Sequence, residues 1–228
     1  MENSEQEQLE ALGHYALRFA KPGDVLGLGT GHAATAFINA LGASLIQVRG
    51  VPTSRASEEL GRSLGIEIVS LADTPKIDTD FDGADEVDPK LNLIKGYGGA
   101  LVREKIVATA ARRLVIVVGG EKLVPVLGTR GIVPVEVIPF ALPLCRREIR
   151  KLGLVPQLRL TEGDAYQSDN GNHILDCATE PIGDARALDL ALRSIPGVVG
   201  TGIFAGLAAA AVVGDAGGVR LLERGVRY

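Results

Sequence analysis

The sequence predicts an α/β protein: a Rossmann-like, mostly parallel sheet domain with a second, smaller ferredoxin-like α+β domain. Two observations carry this expectation. Over residues 25–122 short apolar runs alternate with amphipathic stretches, the order in which strands and helices build a parallel sheet. Beyond Gly131 the order changes to βαββαβ, that of a split ferredoxin-like unit. The expected boundaries are 1–130 with 203–228 for the sheet domain and 131–202 for the smaller one, which is expected at a subunit interface.

A first helix is expected over 4–20, where Leu9, Leu12, Ala16, Leu17 and Phe19 trace one apolar face and Lys21-Pro22-Gly23 stops it. Residues 25–28 read as a short buried strand, Gly29-Thr30-Gly31 as a turn and 33–41 as a helix. The pattern repeats with a strand over 45–51, a Pro52-Thr53-Ser54 cap, a helix over 55–64 and a strand over 67–70. After the alternating segment 77–81 and a charged window come a helix over 100–112 and an apolar strand over 114–118. In the smaller domain the strands are expected over 133–138, 157–160, 172–177 and 198–201, the helices over 142–152 and 184–195. A hairpin of 208–213 and 219–223 is expected to return to the first sheet.

Composition narrows the partners. The chain has 228 residues, 46% hydrophobic and 23% charged, with a net charge of -4 and no Trp, which describes a soluble, mildly acidic globular protein. No basic stripe with interleaved aromatics appears, so nucleic acid is not an expected partner. No stretch reaches the length of a membrane span, and the acidic N-terminal segment lacks the basic and apolar regions of a secretory signal. A cytoplasmic location is expected. Cys145 and Cys177 are too few for a disulfide framework, and His14, His32 and His173 have no metal-ligand spacing.

The chemistry concentrates between residues 82 and 105. Asp82-Gly83-Ala84-Asp85-Glu86, then Lys95-Gly96-Tyr97-Gly98-Gly99, then Arg103-Glu104-Lys105 set carboxylates and cations among glycines, which let backbone and ligand approach closely. Glu104, expected near the start of a helix, would be held ionised by the helix dipole, as a base must be. Lys95 could neutralise an oxyanion formed when a carbon beside a carbonyl loses its proton. A carboxylate base beside a cation fits enolisation. The competing structural reading is a helix-start Glu and a solvated Lys. A magnesium site at Asp82, Asp85 and Glu86 is chemically conceivable, but the neighbouring Lys95 favours acid/base chemistry without metal.

Gly27-Leu28-Gly29-Thr30-Gly31-His32 sits between a strand and a helix, where amides and the helix N-terminus favour a phosphate. His32 occupies the place of the third glycine of a dinucleotide fingerprint, and no Gly-Lys-Ser/Thr follows, so neither NAD nor a P-loop nucleotide is expected.

With these motifs in this order, the chain resembles ribose-5-phosphate isomerase of type A, and the likeness extends over essentially its whole length. Val135-Glu136-Val137-Ile138-Pro139, Asp169-Asn170-Gly171-Asn172 and Ile195-Pro196-Gly197-Val198-Val199 also match. The resemblance implies interconversion of D-ribose 5-phosphate and D-ribulose 5-phosphate in the non-oxidative pentose phosphate pathway, with no cofactor and no metal, by a homodimer or homotetramer. Glu104 matches the proton-shuttling base, with Lys95 and Asp85 handling charge and protons on O1 and O2, and Asp82 assisting sugar binding and ring opening. Thr30, Gly31, His32 and Ala33 match the substrate-binding turn, and Asp82, Gly83, Ala84, Asp85, Lys95, Gly96, Tyr97, Gly98 and Lys122 complete the expected substrate contacts. The turn departs from the family's usual Gly-Thr-Gly-Ser-Thr at His32 and Ala33, which removes two hydroxyl donors from the expected anion site. Two further readings use the same sheet: a non-catalytic sugar-phosphate sensor, which the intact Asp82, Asp85, Lys95 and Glu104 set disfavours, and acyl or CoA transfer through a nucleophilic glutamate.

Overall fold

The computed structural model describes residues 2–74 and 76–224. Residues 225–228, which the sequence assigns to the sheet domain, lie outside the described residues.

Helix α1 (Glu2–Ala16) continues into a 3-10 turn, and β1 (Val25–Leu28), α2 (His32–Gly42), β2 (Arg49–Pro52), α3 (Arg55–Ser63) and β3 (Glu67–Ile68) follow. Next come β4 (Thr79–Asp82), the two-residue strands β5 (Glu86–Val87) and β6 (Leu93–Ile94), α4 (Leu101–Ala110) and β7 (Leu114–Gly119). The chain then runs through β8 (Ile132–Val137), α5 (Leu142–Lys151), β9 (Val155–Leu158), β10 (Leu160–Thr161), β11 (Asp164–Ala165), β12 (His173–Ala178), α6 (Ala185–Arg193) and β13 (Val198–Thr201). It closes with β14 (Ile203–Phe204), β15 (Ala208–Asp215) and β16 (Gly218–Glu223). Two compact units result, one of Met1–Ala84, Arg103–Leu123 and Leu207–Tyr228, the other of Asp85–Val102 and Val124–Gly206.

The larger unit is built on a seven-stranded sheet in the order β16-β15-β7-β4-β1-β2-β3. Every pairing is parallel except β15 with β16, the returning hairpin. From β1 the chain goes one way to β2 and β3, then the other way to β4 and β7. The loops after β1 and β4 therefore flank a topological switch point, where open parallel sheets bind ligands at the carboxyl ends of their strands. Leu26, Leu28, Phe37, Phe81, Val115 and Val117 are fully buried there. Phe37 of α2 stacks on Phe81 of β4 with ring centroids 3.9 Å apart, a contact that contributes about 1 kcal/mol beyond area burial and pins α2 to the strand carrying Asp82. Helix α3 begins with a capping box: Ser54 accepts the Ser57 amide, and the Ser57 hydroxyl accepts the Ser54 amide in return. The strand expected over 45–51 starts only at Arg49, because its partner β1 begins at Val25 and leaves the earlier residues no strand to pair with. Ile46 and Val48 pack partly buried side chains against the core from a loop instead.

In the smaller unit an antiparallel sheet runs β13-β8-β12-β9. Side chains alternate across it. Val133, Val135, Val137, Leu175 and Cys177 pack with Cys145 and Ile149 of α5 and Leu192 of α6. Pro134, Glu136, Ile174 and Asp176 occupy the alternate positions. A second antiparallel sheet, β14-β6-β5, brings segments 85–94 and 203–204 into this unit. The boundary thus differs from the expected 131–202: Asp85–Val102 and residues 124–130 and 203–206 belong here. Hydrogen bonds from Lys95 N to Gly202 O at 2.8 Å and from Val124 N to Val87 O at 2.9 Å are the physical reason.

Candidate active site

Within the larger unit the carboxyl edge of the parallel sheet gathers the first set of expected residues. The turn after β1 is held to the end of β4: Thr30 N donates to Asp82 Oδ1 at 3.1 Å, and Gly83 N donates to the same oxygen at 2.7 Å. Only glycine fits beside this carboxylate, since a Cβ on Gly29 would lie 2.4 Å from Asp82 Oδ1. The Thr30 hydroxyl meets those of Thr53 at 2.7 Å and Ser54 at 2.8 Å, tying the turn to the start of α3. Gly31 caps α2 and His32 is its exposed first residue, while Ala33 packs against the core and offers only its backbone. Ala84 ends this segment, and Lys122 sits in the 3-10 turn Gly120–Lys122 that follows β7, on the same edge.

Glu104 occupies the first turn of α4. Helices that connect parallel strands run back against them, so this first turn lies at the strands' carboxyl edge. Val107, one turn later, fills the space against Gly27 in the middle of β1 and fixes that placement. Asp82 is fully buried and Glu104 is 3% exposed. Burying a carboxylate is costly unless its charge is matched, so such groups mark candidate sites.

The smaller unit holds the second set. Asp85 leads into β5, its amide donating to Ile94 O at 2.8 Å, and its Oδ2 accepts the Tyr97 amide at 3.0 Å. Lys95 follows β6 and is 2% exposed, its Nζ 5.6 Å from the Phe204 ring centroid, within cation–π range. Gly96, Tyr97 and Gly98 form the turn, with Gly99 N donating to Gly96 O at 3.0 Å. Burial, and then the negative charges of Asp85 and Glu86, push the Tyr97 phenol up to about 12. Glu86 acts on a different segment. Its two oxygens accept the amides of Gly128 at 2.7 Å and Arg130 at 2.6 Å, so it fixes the loop before β8. Among the described residues no three His, Cys, Asp or Glu side chains gather as a metal site would need, and no helix is long and apolar enough to cross a membrane.

This arrangement matches a known family. Residues 49–218 fit the model of ribose 5-phosphate isomerase A (phosphoriboisomerase A). The chain belongs to the ribose 5-phosphate isomerase A family. A ribose-5-phosphate isomerase A of Roseiflexus sp. (strain RS-1) is 46% identical over 211 residues, covering 90% of this chain and 91% of that protein. Its counterpart in Parvibaculum lavamentivorans is 44% identical, covering 95% and 98%. Among solved structures, ribose 5-phosphate isomerase A of Methanocaldococcus jannaschii superposes with a TM-score of 0.91 at 38% identity, over 95% of this chain and 98% of that one. A D-ribose-5-phosphate isomerase in complex with phospho-erythronic acid superposes with a TM-score of 0.92 at 38% identity, over 96% and 98%. Family membership makes this chain an enzyme of the isomerase class.

Four residues that support the expected set carry no signal in the sequence motifs. Thr53 and Ser54 read only as a helix cap, yet their hydroxyls hold Thr30. Arg159 and Asp176 fall inside the strands expected over 157–160 and 172–177. Their ion pair supports the 96–97 backbone, and the one available clue is a carboxylate between the buried Leu175 and Cys177.

Proposed function

We propose that this chain interconverts D-ribose 5-phosphate and D-ribulose 5-phosphate through an enediolate, with Glu104 as the base and without metal or organic cofactor. The observation that carries the reading is Glu104 itself, a carboxylate 3% exposed on a helix's first turn at the carboxyl edge of a parallel sheet. Glu104 takes the proton from C2 of the open-chain aldose. The electron pair forms a C1–C2 double bond, charge develops on O1, and Lys95 stabilises it. Asp85 moves the O2 proton to O1, and Glu104 returns its proton to C1, which leaves the ketone at C2. Asp82 assists ring opening.

The phosphate is assigned to the amides of Gly31, His32 and Ala33, at the N-terminus of α2, with Lys122 as a further cation. The relative that holds phospho-erythronic acid supports a phosphorylated ligand. The reading includes a cytoplasmic location and a homodimer or homotetramer built through the smaller unit. Ile138, Phe140 and Val199, exposed by 47%, 96% and 41%, support an apolar contact there.

The test is conversion of ribose 5-phosphate in the presence of EDTA, repeated with a six-carbon aldose phosphate. Undiminished turnover of the pentose, with kcat/KM about 100-fold lower for the hexose, is the expected outcome. Binding of ribose 5-phosphate without turnover would replace the isomerase by a sugar-phosphate sensor.

A further inference from the structure

We propose that Arg159, held by Asp176, is a positioning residue that fixes the turn after Lys95 and, through the Tyr97 amide, the carboxylate of Asp85. The guanidinium bonds in two directions. Its Nε donates to Asp176 Oδ2 at 2.9 Å and its Nη2 to Asp176 Oδ1 at 2.5 Å, a two-pronged pair that locks the plane of the group. Nη1, turned the other way, donates to Gly96 O and to Tyr97 O, each at 3.0 Å. The Tyr97 amide, in the same turn, donates to Asp85 Oδ2. A continuous path of hydrogen bonds therefore runs from the Asp176 carboxylate to the Asp85 carboxylate.

The base of this clamp is rigid and shielded. Arg159 N donates to Ile174 O at 2.9 Å, and Arg159 O accepts the Tyr166 amide at 2.9 Å, so its backbone is fixed to β12 and to the residue after β11. The Arg159 side chain is 14% exposed, and its Cζ lies 5.7 Å from the Tyr166 ring centroid. Tyr166 in turn closes on the far end of the turn: a Cβ on Gly99 would lie 2.0 Å from its phenol oxygen, so only glycine fits. Of these two adjacent carbonyls, Gly96 O also accepts the Gly99 amide, while Tyr97 O has Arg159 as its partner. A single planar donor holds both in one geometry, which lysine, a point charge on a flexible stem, cannot do.

The inference rests on the isomerase reading for its consequence, because Lys95 and Asp85 matter to turnover only if that reading holds. Its physical part is independent of the reading. The experiment compares wild type with Arg159→Ala, Arg159→Lys and Asp176→Asn by amide hydrogen exchange and by steady-state kinetics with ribose 5-phosphate. In Arg159→Ala, exchange at Tyr97 and Gly99 rises at least about tenfold while the core strands stay protected. Its kcat falls by about 10- to 100-fold with KM within about threefold, since a misplaced reacting group costs turnover more than binding. Arg159→Lys recovers part of the lost kcat, and Asp176→Asn shifts both readouts in the same direction by less. Unchanged exchange at Tyr97 overturns the clamp, whatever the activity. Raised exchange with unchanged kcat overturns the positioning role. Raised exchange in Arg159→Ala, beside a wild type that does not turn over the sugar, keeps the clamp and rejects the isomerase reading.

Discussion

Asp82 accepts the Thr30 amide at 3.1 Å through the same oxygen that takes the Gly83 amide, so one buried carboxylate closes the turn after β1 against the end of β4. Asp82→Asn keeps the size and an acceptor oxygen. It is expected to fold with a Tm close to wild type and to lose about 10- to 100-fold in kcat/KM through the missing charge. Asp82→Ala leaves two amides without their acceptor and is expected to lose about 2–4 kcal/mol of stability. Urea unfolding beside ribose 5-phosphate kinetics separates the two effects. An alanine variant as stable as wild type would show that the turn is held by something else.

Glu86 stands only four residues further along, and the prediction reverses. Its carboxylate accepts two amides of the loop before β8, an arrangement glutamine cannot copy because its NH2 group would face an N–H. Glu86→Gln is expected to lose about 2–3 kcal/mol in urea unfolding, with kcat of the folded fraction within about threefold of wild type. A stable variant with lost turnover would move Glu86 into the chemistry.

Glycine and proline punctuation made the parallel sheet legible. β1 and β13 lie at their expected residues, and the turn at Gly29 to Gly31 and the start of α3 followed from local chemistry. The membership of 85–102 was not legible, because β5, β6 and β14 are two residues long and β6 pairs with β14 over more than a hundred residues of sequence. No periodicity develops in two residues. The charged window was visible for its carboxylates and Lys95 alike, yet Glu86 could not be told from Asp82 and Asp85 by residue type. What separates them is the loop each carboxylate binds. Arg159 escaped for a related reason: it acts on backbone carbonyls, which leave no mark in side-chain identity.

Tyr97 supplies a prediction in pH. Burial and the nearby Asp85 and Glu86 carboxylates raise its phenol to about 12 in the folded state, above the ordinary value of 10.0. A raised pKa means that folding favours the protonated form. The contribution is therefore full below about pH 10 and is lost as pH climbs from there towards 12. Spectrophotometric titration at alkaline pH is expected to show a late tyrosinate step that Tyr97→Phe removes. Persistence of that step in the variant would assign it to another tyrosine, such as Tyr166, whose phenol burial also raises.

Glu104 carries the proposed chemistry, and its replacement by glutamine is the most direct measurement. Glu104→Gln preserves shape and hydrogen-bonding reach while removing the base. Ribose 5-phosphate turnover with EDTA present is expected to fall at least about 1000-fold in kcat, with KM within about threefold and the Tm maintained. A folded Glu104→Gln protein that keeps kcat within about tenfold of wild type would contradict Glu104 as the proton-shuttling base.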